Sequence, residues 1–533
     1  MNKPLLLSLA AATLLGSNLN AESMYDRIQA MELEMNKMRK ELTTLKAENA
    51  QEDEEESDTI SADDEESEDE EKEDADSDEE SDEEEEEMDV EEEIRDMQES
   101  ITELNKATNG SHLKFGIDYR FAVENMQYKM AGKDANGKDK HSNDAFMTNR
   151  LWMNMSWAAT KNLSFKGQLA YNKAFGQRSG VDGVNGLPGP YESFDWIANE
   201  NAYDDILRVR SAYFLYKDSS AALPWAFSIG RRPSTNGHLI NLRDDDQAAS
   251  PMGHTINVEF DGLSAKFGLE NLTGADGMYV KFCAGRGMSN AAPKFTYTPY
   301  AEVTDDNTNI DLAGLIFVPY DNGHYSVASQ YYYASNLIDM SPTGGFDTVG
   351  GMHSVTANFI ANGIGDEWSD FLDDTIFFLS GAASITDPDK GGINPGMLGS
   401  ADAETGYSAW VGLQIPSLIS EDGRWGVEYN YGSQYWRSIT YAEDTNIGSK
   451  VATRGNSYEA YFTEYLVEDI LSLQIRYTYL DYKYTGSNGF FGDSSGRSRL
   501  IEDLTSGNPM DPMDASYHVD KAQDIRFYLR YKY

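Results

Sequence analysis

The sequence predicts a mostly β protein: a transmembrane antiparallel β-barrel of about 18 strands (16–18), preceded by an α-helical coiled-coil segment and a disordered acidic linker. The chain ends on "DIRFYLRYKY", where apolar or aromatic residues alternate with mostly cationic ones. From about residue 111, segments of roughly ten alternating residues are separated by clusters of Gly, Asn, Asp and Pro. A period of two gives a strand one apolar and one polar face. A barrel wall with lipid outside and water inside suits both faces.

The N-terminus, residues 1–21, has the pattern of a signal peptide. Lys3 supplies a positive charge, "LLLSLAAATLLG" supplies a short apolar stretch, and Ala21 is a small residue at the cleavage point. The apolar stretch is too short to span a membrane, and no run of about 18 apolar residues follows it. We therefore expect an exported chain that spans the membrane as a closed barrel, in which every backbone group is paired.

Two segments, 22–50 and 90–108, carry the heptad spacing of a coiled coil. The seam of the first segment consists of Met24, Ile28, Met31, Met35, Met38, Leu42 and Leu45. A helix with so narrow an apolar stripe needs partner helices, so we expect a homo-oligomer. The alternative is a single amphipathic helix that lies on the barrel or on the membrane surface.

Residues 51–89 form an acidic linker between these segments. Residues 52–93 hold about 30 acidic residues against one base, Lys72, so this stretch repels itself and is expected to be disordered. The formal net charge of −48 at pH 7 excludes nucleic acid as a partner, because phosphate binding needs a basic surface. Weak binding of divalent cations or docking on a basic periplasmic partner is one hypothesis for the linker, and an inert charged spacer is the other.

Apart from those divalent cations, we expect no cofactor and no metal site. The single cysteine, Cys283, cannot form an internal disulfide. The seven histidines are scattered, and none forms the HExxH pair of a zinc enzyme.

The barrel is expected to span residues 109–533. In "RLWMNMSW" and "LSLQIRYTYLDY", apolar residues alternate with inward residues such as Arg150 and Arg476. In the segment "ILRVRSAYFLY", Arg208 and Arg210 are expected to point into the barrel. The residues expected to point outward are Leu207, Val209, Tyr213 and Leu215.

The strand count follows from the alternation of short and long connections. It places a short turn at "DG", residues 261–262, and a long connection near 233–253. Counting from both ends leaves one strand missing, which "KFTYTPYAEV" at 294–303 supplies, so the total becomes about 18. A soluble β-sandwich is the alternative, but it needs neither this rhythm nor arginines at repeated mid-strand positions.

The architecture resembles an outer-membrane porin, and in particular a family of exported porin-like proteins of Gram-negative bacteria with an N-terminal coiled coil. "SIGRRPSTNG" at 228–237 is similar to a Gly-Arg-x-Pro segment of that family. The closing strand resembles the signal read by the barrel-assembly machinery, through Phe527, Leu529, Tyr531 and Tyr533. The resemblance implies a cell outer-membrane location with the stalk in the periplasm. It also implies contact with outer-membrane lipid and a trimer as the favoured oligomer.

Two sets of charged residues are candidates for the lumen. The arginines expected to line the pore are Arg120, Arg150, Arg208, Arg210, Arg231, Arg232, Arg476, Arg526 and Arg530. A possible constriction loop carries Asp244, Asp245 and Asp246; folded inward, it would face the arginines and create a transverse field. The alternatives are that the arginines pair with lumen carboxylates such as Asp118 and Glu259, and that the aspartates are a solvated external loop.

The function that these observations predict is passive diffusion of small hydrophilic solutes or ions through a water-filled porin channel. The alternative is a tether or scaffold with a closed barrel, which anchors the cell wall or a periplasmic partner. A barrel lipid hydrolase is the third hypothesis, but no G-x-S-x-G is present, and "GYSAW" at 406–410 lacks the last glycine. We therefore expect no enzyme and no catalytic residues.

Overall fold

The computed structural model describes eleven ranges of the chain: 113–176, 206–220, 223–232, 236–288, 309–340, 346–365, 368–389, 396–440, 445–486, 496–505 and 514–533. The expected signal peptide, both coiled-coil segments and the acidic linker lie outside these residues, as does the expected strand at 294–303. In the described ranges, no helix has the length and apolar character needed to cross a membrane.

The described residues form a closed barrel of antiparallel strands in which each strand pairs with its neighbours in the sequence. The first eight strands are β1 (Leu113–Met130), β2 (Lys140–Ala158), β3 (Leu163–Ala174), β4 (Arg208–Asp218), β5 (Trp225–Arg232), β6 (Phe260–Gly268), β7 (Tyr279–Met288) and β8 (Ile310–Asp321). The others are β9 (Tyr325–Met340), β10 (Phe346–Asn362), β11 (Ile376–Pro388), β12 (Thr405–Pro416), β13 (Arg424–Gly432), β14 (Gly455–Val467), β15 (Leu471–Tyr482) and β16 (Val519–Lys532).

The barrel closes where β1 pairs with β16. The pairing continues to the last residue, because the Ile117 N–H donates to the Tyr533 carbonyl at 2.7 Å and the Tyr533 N–H donates to the Ile117 carbonyl at 2.8 Å. A closed sheet leaves no unpaired edge, which is the condition for strands to lie in hydrocarbon.

The barrel has 16 strands, and the expectation of about 18 is wrong. The supposed turn at 261–262 lies inside β6. The alternating residues just before it, 254–259, are not a wall strand but lie inside the barrel, where every one of them is buried. A wall strand exposes alternate residues to lipid, so a stretch buried on both faces cannot be one.

The connections divide into two ends of the barrel. At the turn end, the described connecting residues are 159–162, 219–220, 223–224, 269–278, 322–324, 363–365, 368–375, 417–423 and 468–470, together with the C-terminus. At the loop end they are 131–139, 175–176, 206–207, 236–259, 309, 389, 396–404, 433–440, 445–454, 483–486, 496–505 and 514–518. Two turns contain one-turn helices, α1 (Glu270–Thr273) and α2 (Asp370–Asp373). Short 3-10 helices at the loop end span Ile240–Asp244, Ile501–Asp503 and Ala515–Tyr517.

The two faces of the wall differ as the alternation in the sequence predicts. On β16, Ile525 is 53% and Phe527 36% exposed, whereas Arg526 is 1% exposed. The same pattern continues on β15, where Ile475 is 48% and Arg476 1% exposed. The outer face is therefore apolar, and the inner face carries the charges.

The sequence prediction assigns some side chains of β4 to the wrong face of the wall. A register shift between β3 and β4 at Gln168/Leu169 leaves one extra residue in β4 beside Arg210. Such a bulge switches every later side chain to the other face. Tyr213 and Leu215, expected outside, therefore line a cavity inside the barrel. Val209, before the bulge, faces outward as expected and is 47% exposed.

We expect Ile475→Arg, in the middle of the outer face of β15, to lower the free energy of unfolding by about 2–4 kcal/mol, because it places a charge in the centre of the apolar band. The control is Tyr531→Arg near the turn end of β16, where the cost should be about 0–1 kcal/mol. Denaturant unfolding in lipid vesicles measures both variants. Equal losses would contradict a lipid-facing band.

Candidate functional site: the barrel lumen

The connection between β5 and β6, residues 233–259 and named L3 here, folds into the barrel. Its 3-10 helix, Ile240–Asp244, begins after Leu239 and ends at Asp245, and both flanking residues have positive φ (81° and 49°). Positive φ is uncommon for residues other than glycine, so the helix has an unusual backbone conformation at both of its ends. L3 reaches β14, which lies nearly half of the barrel circumference from β5.

The three aspartates of L3 contact the opposite wall. The Tyr528 hydroxyl donates to Asp244 Oδ1 at 2.8 Å, and the Tyr465 hydroxyl donates to Asp245 Oδ2 at 2.5 Å. Asp246 accepts from Arg530 at 2.9 Å and from Lys532 Nζ at 2.7 Å. The candidate constriction residues are thus inside the lumen and beside cations of the last strand.

Glu459 on β14 is the centre of a buried cluster of charges. Arg243 of L3 donates to its Oε1 at 3.0 Å, and the side chains are 1% and 0% exposed. Lys450 forms a short ion pair with the same carboxylate and a second one with Glu428 at 2.6 Å. Arg476 Nε lies 3.9 Å from Glu459 Oε2. L3 is therefore held across the lumen by a carboxylate that several cations share.

Most of the candidate arginines on the inner wall are paired with carboxylates. Asp118 accepts from Arg530 at 2.6 Å and lies 3.3 Å from Arg150. The other two pairs are Arg210–Glu259 at 3.1 Å and Arg526–Glu124 at 2.9 Å. This is the pairing that the sequence left open as an alternative to a ladder of free cations.

The other candidate arginines lie in different surroundings. The Arg120 guanidinium lies over the Tyr528 ring at 5.1 Å, and Arg208 is half-buried at the loop-end start of β4. Arg231 and Arg232 are neighbours in β5 and face opposite sides. Arg232 lines a lumen cavity, whereas Arg231 lies 3.5 Å from the 65% exposed Asp261. The expected lumen position of Arg231 is therefore wrong.

A second loop also fills the lumen, and the sequence analysis missed it. This loop, named L7, is the connection 433–454 between β13 and β14. Arg437 lies 3.6 Å from Asp339 on β9, and both side chains are fully buried. Trp436 Nε1 donates to the Val451 carbonyl at 2.9 Å. The signal was present in "YWRS" and "KVATR", where bulky and cationic residues are unusual for a solvated loop.

L3 and L7 meet inside the barrel and pack as a small core. Ile256 and Ile439 form a parallel bridge, and the Asn257 N–H donates to the Ile439 carbonyl at 2.7 Å. An apolar cluster links both loops to the wall and contains Leu239, Ile240, Ile360, Phe378, Trp410 and Val451. The part of the lumen beside β9–β12 is thus occupied by folded loops.

His254 of L3 lies in the middle of this packing. Its Nδ1 is 2.7 Å from Ser380 Oγ and its Nε2 is 2.8 Å from Ser408 Oγ. Two tryptophan rings, Trp410 and Trp436, each lie 5.6 Å from the imidazole. Complete burial lowers the pKa of His254 to about 3, so the ring is neutral at neutral pH.

Two cavities of unlike charge lie below L3, toward the turn end. One has about 480 Å³ and is lined by four cations, Lys217, Arg232, Lys266 and Lys281, and one carboxylate, Asp321. The other has about 640 Å³. It is lined by one cation, Arg424, and by Asp245, Asp373, Asp374, Glu421, Asp422, Glu468 and Asp469. Each is large enough for roughly a dozen or more water molecules.

Residues 140–533 match the family described as "Protein of unknown function (DUF3373)". No curated protein matches the chain.

Solved structures with similarity to this chain include outer-membrane porins. An anion-selective porin from Comamonas acidovorans is 11% identical with a TM-score of 0.43, and the match covers 79% of this chain and 99% of that one. OprB of Pseudomonas putida is 13% identical with a TM-score of 0.41, covering 79% and 94%. The outer membrane protein OmpT of Vibrio cholerae is 11% identical with a TM-score of 0.40, covering 79% and 99%. Scores this low carry no argument about function.

Glu459→Gln keeps the shape of the side chain but removes the charge that Arg243, Lys450 and Arg476 share. We expect the free energy of unfolding to fall by about 3–5 kcal/mol, because buried cations lose their counter-ion. The control is Asp311→Asn, which breaks a pair with Arg286 whose side chains are 45% and 44% exposed; it should cost at most about 1 kcal/mol. Guanidinium unfolding followed by fluorescence measures both, and similar losses would contradict the burial argument.

Acidification should loosen L3 through His254. The ring is neutral in the folded loop, with a pKa of about 3, and protonates near pH 6.5 when solvated. Docking is therefore fully stable above about pH 6.5 and weakens by about 1.4 kcal/mol per pH unit as the pH falls toward 3. Tryptophan fluorescence reports the change, since Trp410 and Trp436 contact the ring.

The control for the acid effect is His254→Asn, which keeps hydrogen-bonding groups but does not titrate in this range. Carboxylates respond to acid in both proteins, so the difference between the two curves isolates the histidine. Superimposable pH curves would show that His254 does not hold L3 through its neutral form.

Proposed function

The chain belongs to the DUF3373 family of proteins of unknown function, and from the geometry of its lumen we propose that it is an outer-membrane porin. In this proposal, small hydrophilic solutes or ions diffuse passively through the barrel and pass the constriction that L3 and L7 create. The observation that carries the proposal is the pair of charged cavities that remain beside L3, about 480 and 640 Å³ in volume.

The wall of the barrel supports a membrane channel. Its outer face exposes apolar side chains such as Phe115 and Val355, at 65% and 46%. Its inner face is lined by charged and hydrogen-bonded side chains. Barrels of 16 strands are wide enough to hold an aqueous channel, so a polar lumen of this size suits solute passage.

L3 supports selective rather than free passage. It crosses the lumen and is pinned by Asp244, Asp246 and Arg243 to β14 and β16. Solutes would have to pass on either side of it, through a cavity of net positive or net negative lining. Charges that line a narrow point decide which ions cross. In this proposal, the two linings would set up a transverse field at the turn end of the barrel. Apart from Asp245 and Arg232, the charged residues of these linings are not the aspartates and arginines that the sequence suggested.

Location and assembly form part of the proposal. The turn end would face the periplasm, as short turns do in outer-membrane barrels, and the stalk would extend there from the first strand. Insertion would use the barrel-assembly machinery, which reads the closing strand. The heptad seam would join several copies, with a trimer favoured.

A closed barrel that serves as a tether or scaffold is the second candidate function. The packing of L3 against L7, with Trp410 and Trp436 fully buried, favours it. In that case the stalk and the acidic linker would be the functional parts.

The experiment is single-channel recording in planar bilayers with the folded protein. We expect discrete conductance steps. A folded barrel that never conducts would overturn the porin and support the tether.

We also expect Glu421→Gln combined with Asp422→Asn to shift the reversal potential in a salt gradient toward anion selectivity, because these two exposed acids line the negative cavity. The matched control is Glu502→Gln combined with Asp503→Asn, which neutralises the same dipeptide at the loop end. The same shift in both variants would mean that total charge, and not the cavity, sets ion selectivity.

A further inference from the structure

The positive cavity below L3, called here the lysine chamber, differs from the rest of the inner wall. Lys217, Arg232, Lys266 and Lys281 come from four neighbouring strands, β4 to β7, and point into one space of about 480 Å³. Lys281 lies close enough to Arg232 and to Lys266 for the positive charges of both to repel its own. Gathering like charges in a partly enclosed space raises the free energy unless an anion joins them.

Carboxylates do not neutralise this chamber. Among the residues that the structure describes, no Asp or Glu lies within 4 Å of the charged groups of these four side chains. Asp321 lines the space and acts electrostatically on Lys266, so one negative charge stands against four positive ones. His238 of L3 also lines it, but burial lowers its pKa, so it adds no charge at neutral pH. The chamber therefore differs from the inner wall at β2, β4 and β16, where arginines form ion pairs with carboxylates.

Neutral groups hold the cations of the lysine chamber in place. Lys281 Nζ donates to Ser250 Oγ of L3 at 2.6 Å. Lys266 Nζ lies 3.7 Å from the centre of the Tyr279 ring. Arg232 Nη1 makes short hydrogen bonds to Ser228 and Ser264. These three cations are thus oriented by partners that carry no negative charge, while Lys217 lies exposed at the edge of the chamber.

One donor of the lysine chamber has no acceptor at all. Arg232 Nε is buried and lacks a hydrogen-bond partner in the described structure. Ser228 and Ser264, which contact the same guanidinium, are 2% and 5% exposed. A buried N–H without an acceptor costs free energy, and an oxyanion beside it would remove that cost.

We propose that the lysine chamber is a binding site for a small multivalent oxyanion of the phosphate or pyrophosphate class. Ammonium groups suit exchangeable phosphate, because they act as hydrated point charges on flexible stems. The volume also falls in the range of small-molecule sites. The proposal deepens the porin function, since an anion held below L3 would enter or leave through this side of the constriction.

Equilibrium binding tests the site without requiring conduction. Pyrophosphate is titrated into the folded full-length protein in detergent and followed by calorimetry. We expect saturable binding, weakened at least about tenfold by Lys266→Gln with Lys281→Gln, because each lysine offers a charge-assisted hydrogen bond. The matched control is Lys138→Gln with Lys140→Gln, two exposed lysines at the loop end, and it should bind as the wild type does.

The native Cys283 gives a second measurement. It is the only cysteine of the chain and is half-buried. It lies close enough to Lys281 and Arg232 to interact with their charges. A negatively charged thiol reagent should modify it faster than a positively charged one, and pyrophosphate should slow that modification. Circular dichroism and heat-modifiable gel mobility verify that each variant is folded.

The outcomes separate this site from the porin function. Binding without conductance would support the site and overturn the porin. Conductance without pyrophosphate binding, or binding that is equal in the chamber variant and the control variant, would overturn the site. Inorganic phosphate and pyrophosphate titrated in parallel distinguish a site for one phosphate group from a site for two linked phosphate groups.

Discussion

Closure of the sheet is the constraint on which the rest of the structure depends. Once β1 pairs with β16, every strand of the wall has a neighbour on both sides, and the wall can lie in an apolar medium. The outward residues are then free to be apolar, and the inward ones share one confined space. A charge in that space is costly unless a partner reaches it. Loops enter from the loop end and supply such partners, as Arg243 and Lys450 do for Glu459.

The alternation in the sequence predicted the barrel and most of its wall, but not the number of strands and not what fills the lumen. On β15 and β16 the period of two assigned the faces correctly, because lipid and lumen impose opposite polarity on neighbouring residues. It failed at the bulge beside Arg210, since one extra residue reverses the faces without changing composition. It also failed at 254–259, which alternates like a strand but is buried on both sides. For L7, "YWRS" and "KVATR" indicate a buried loop, but its partner Asp339 is far away in the sequence, so local spacing does not identify the contact.

The kind of cation correlates with its surroundings in this lumen. Arginines dominate the paired part of the wall, where a planar fork matches a carboxylate with two parallel bonds, as Arg530 does on Asp118. Lysines dominate the chamber below L3, where hydroxyl and aromatic partners orient them without cancelling their charge. Fixed pairs shape and stiffen the barrel, whereas unpaired lysines remain available to a mobile anion. The same inner wall thus holds cations in carboxylate pairs and cations held by neutral partners.

The small core between L3 and L7 depends on the curvature of the wall. Its members come from β10, β11, β12 and both loops, and Arg243 lies 216 positions before Glu459 in the chain. Phe378 and Trp410 lie on neighbouring strands and contact each other within the sheet, but the residues of L3 and L7 reach them only where the wall curves around the loops. We therefore expect Trp410 and Trp436 to become fully buried after the strands around them have curved, and not before. Tryptophan fluorescence followed during refolding would report burial of the loops separately from formation of the strands.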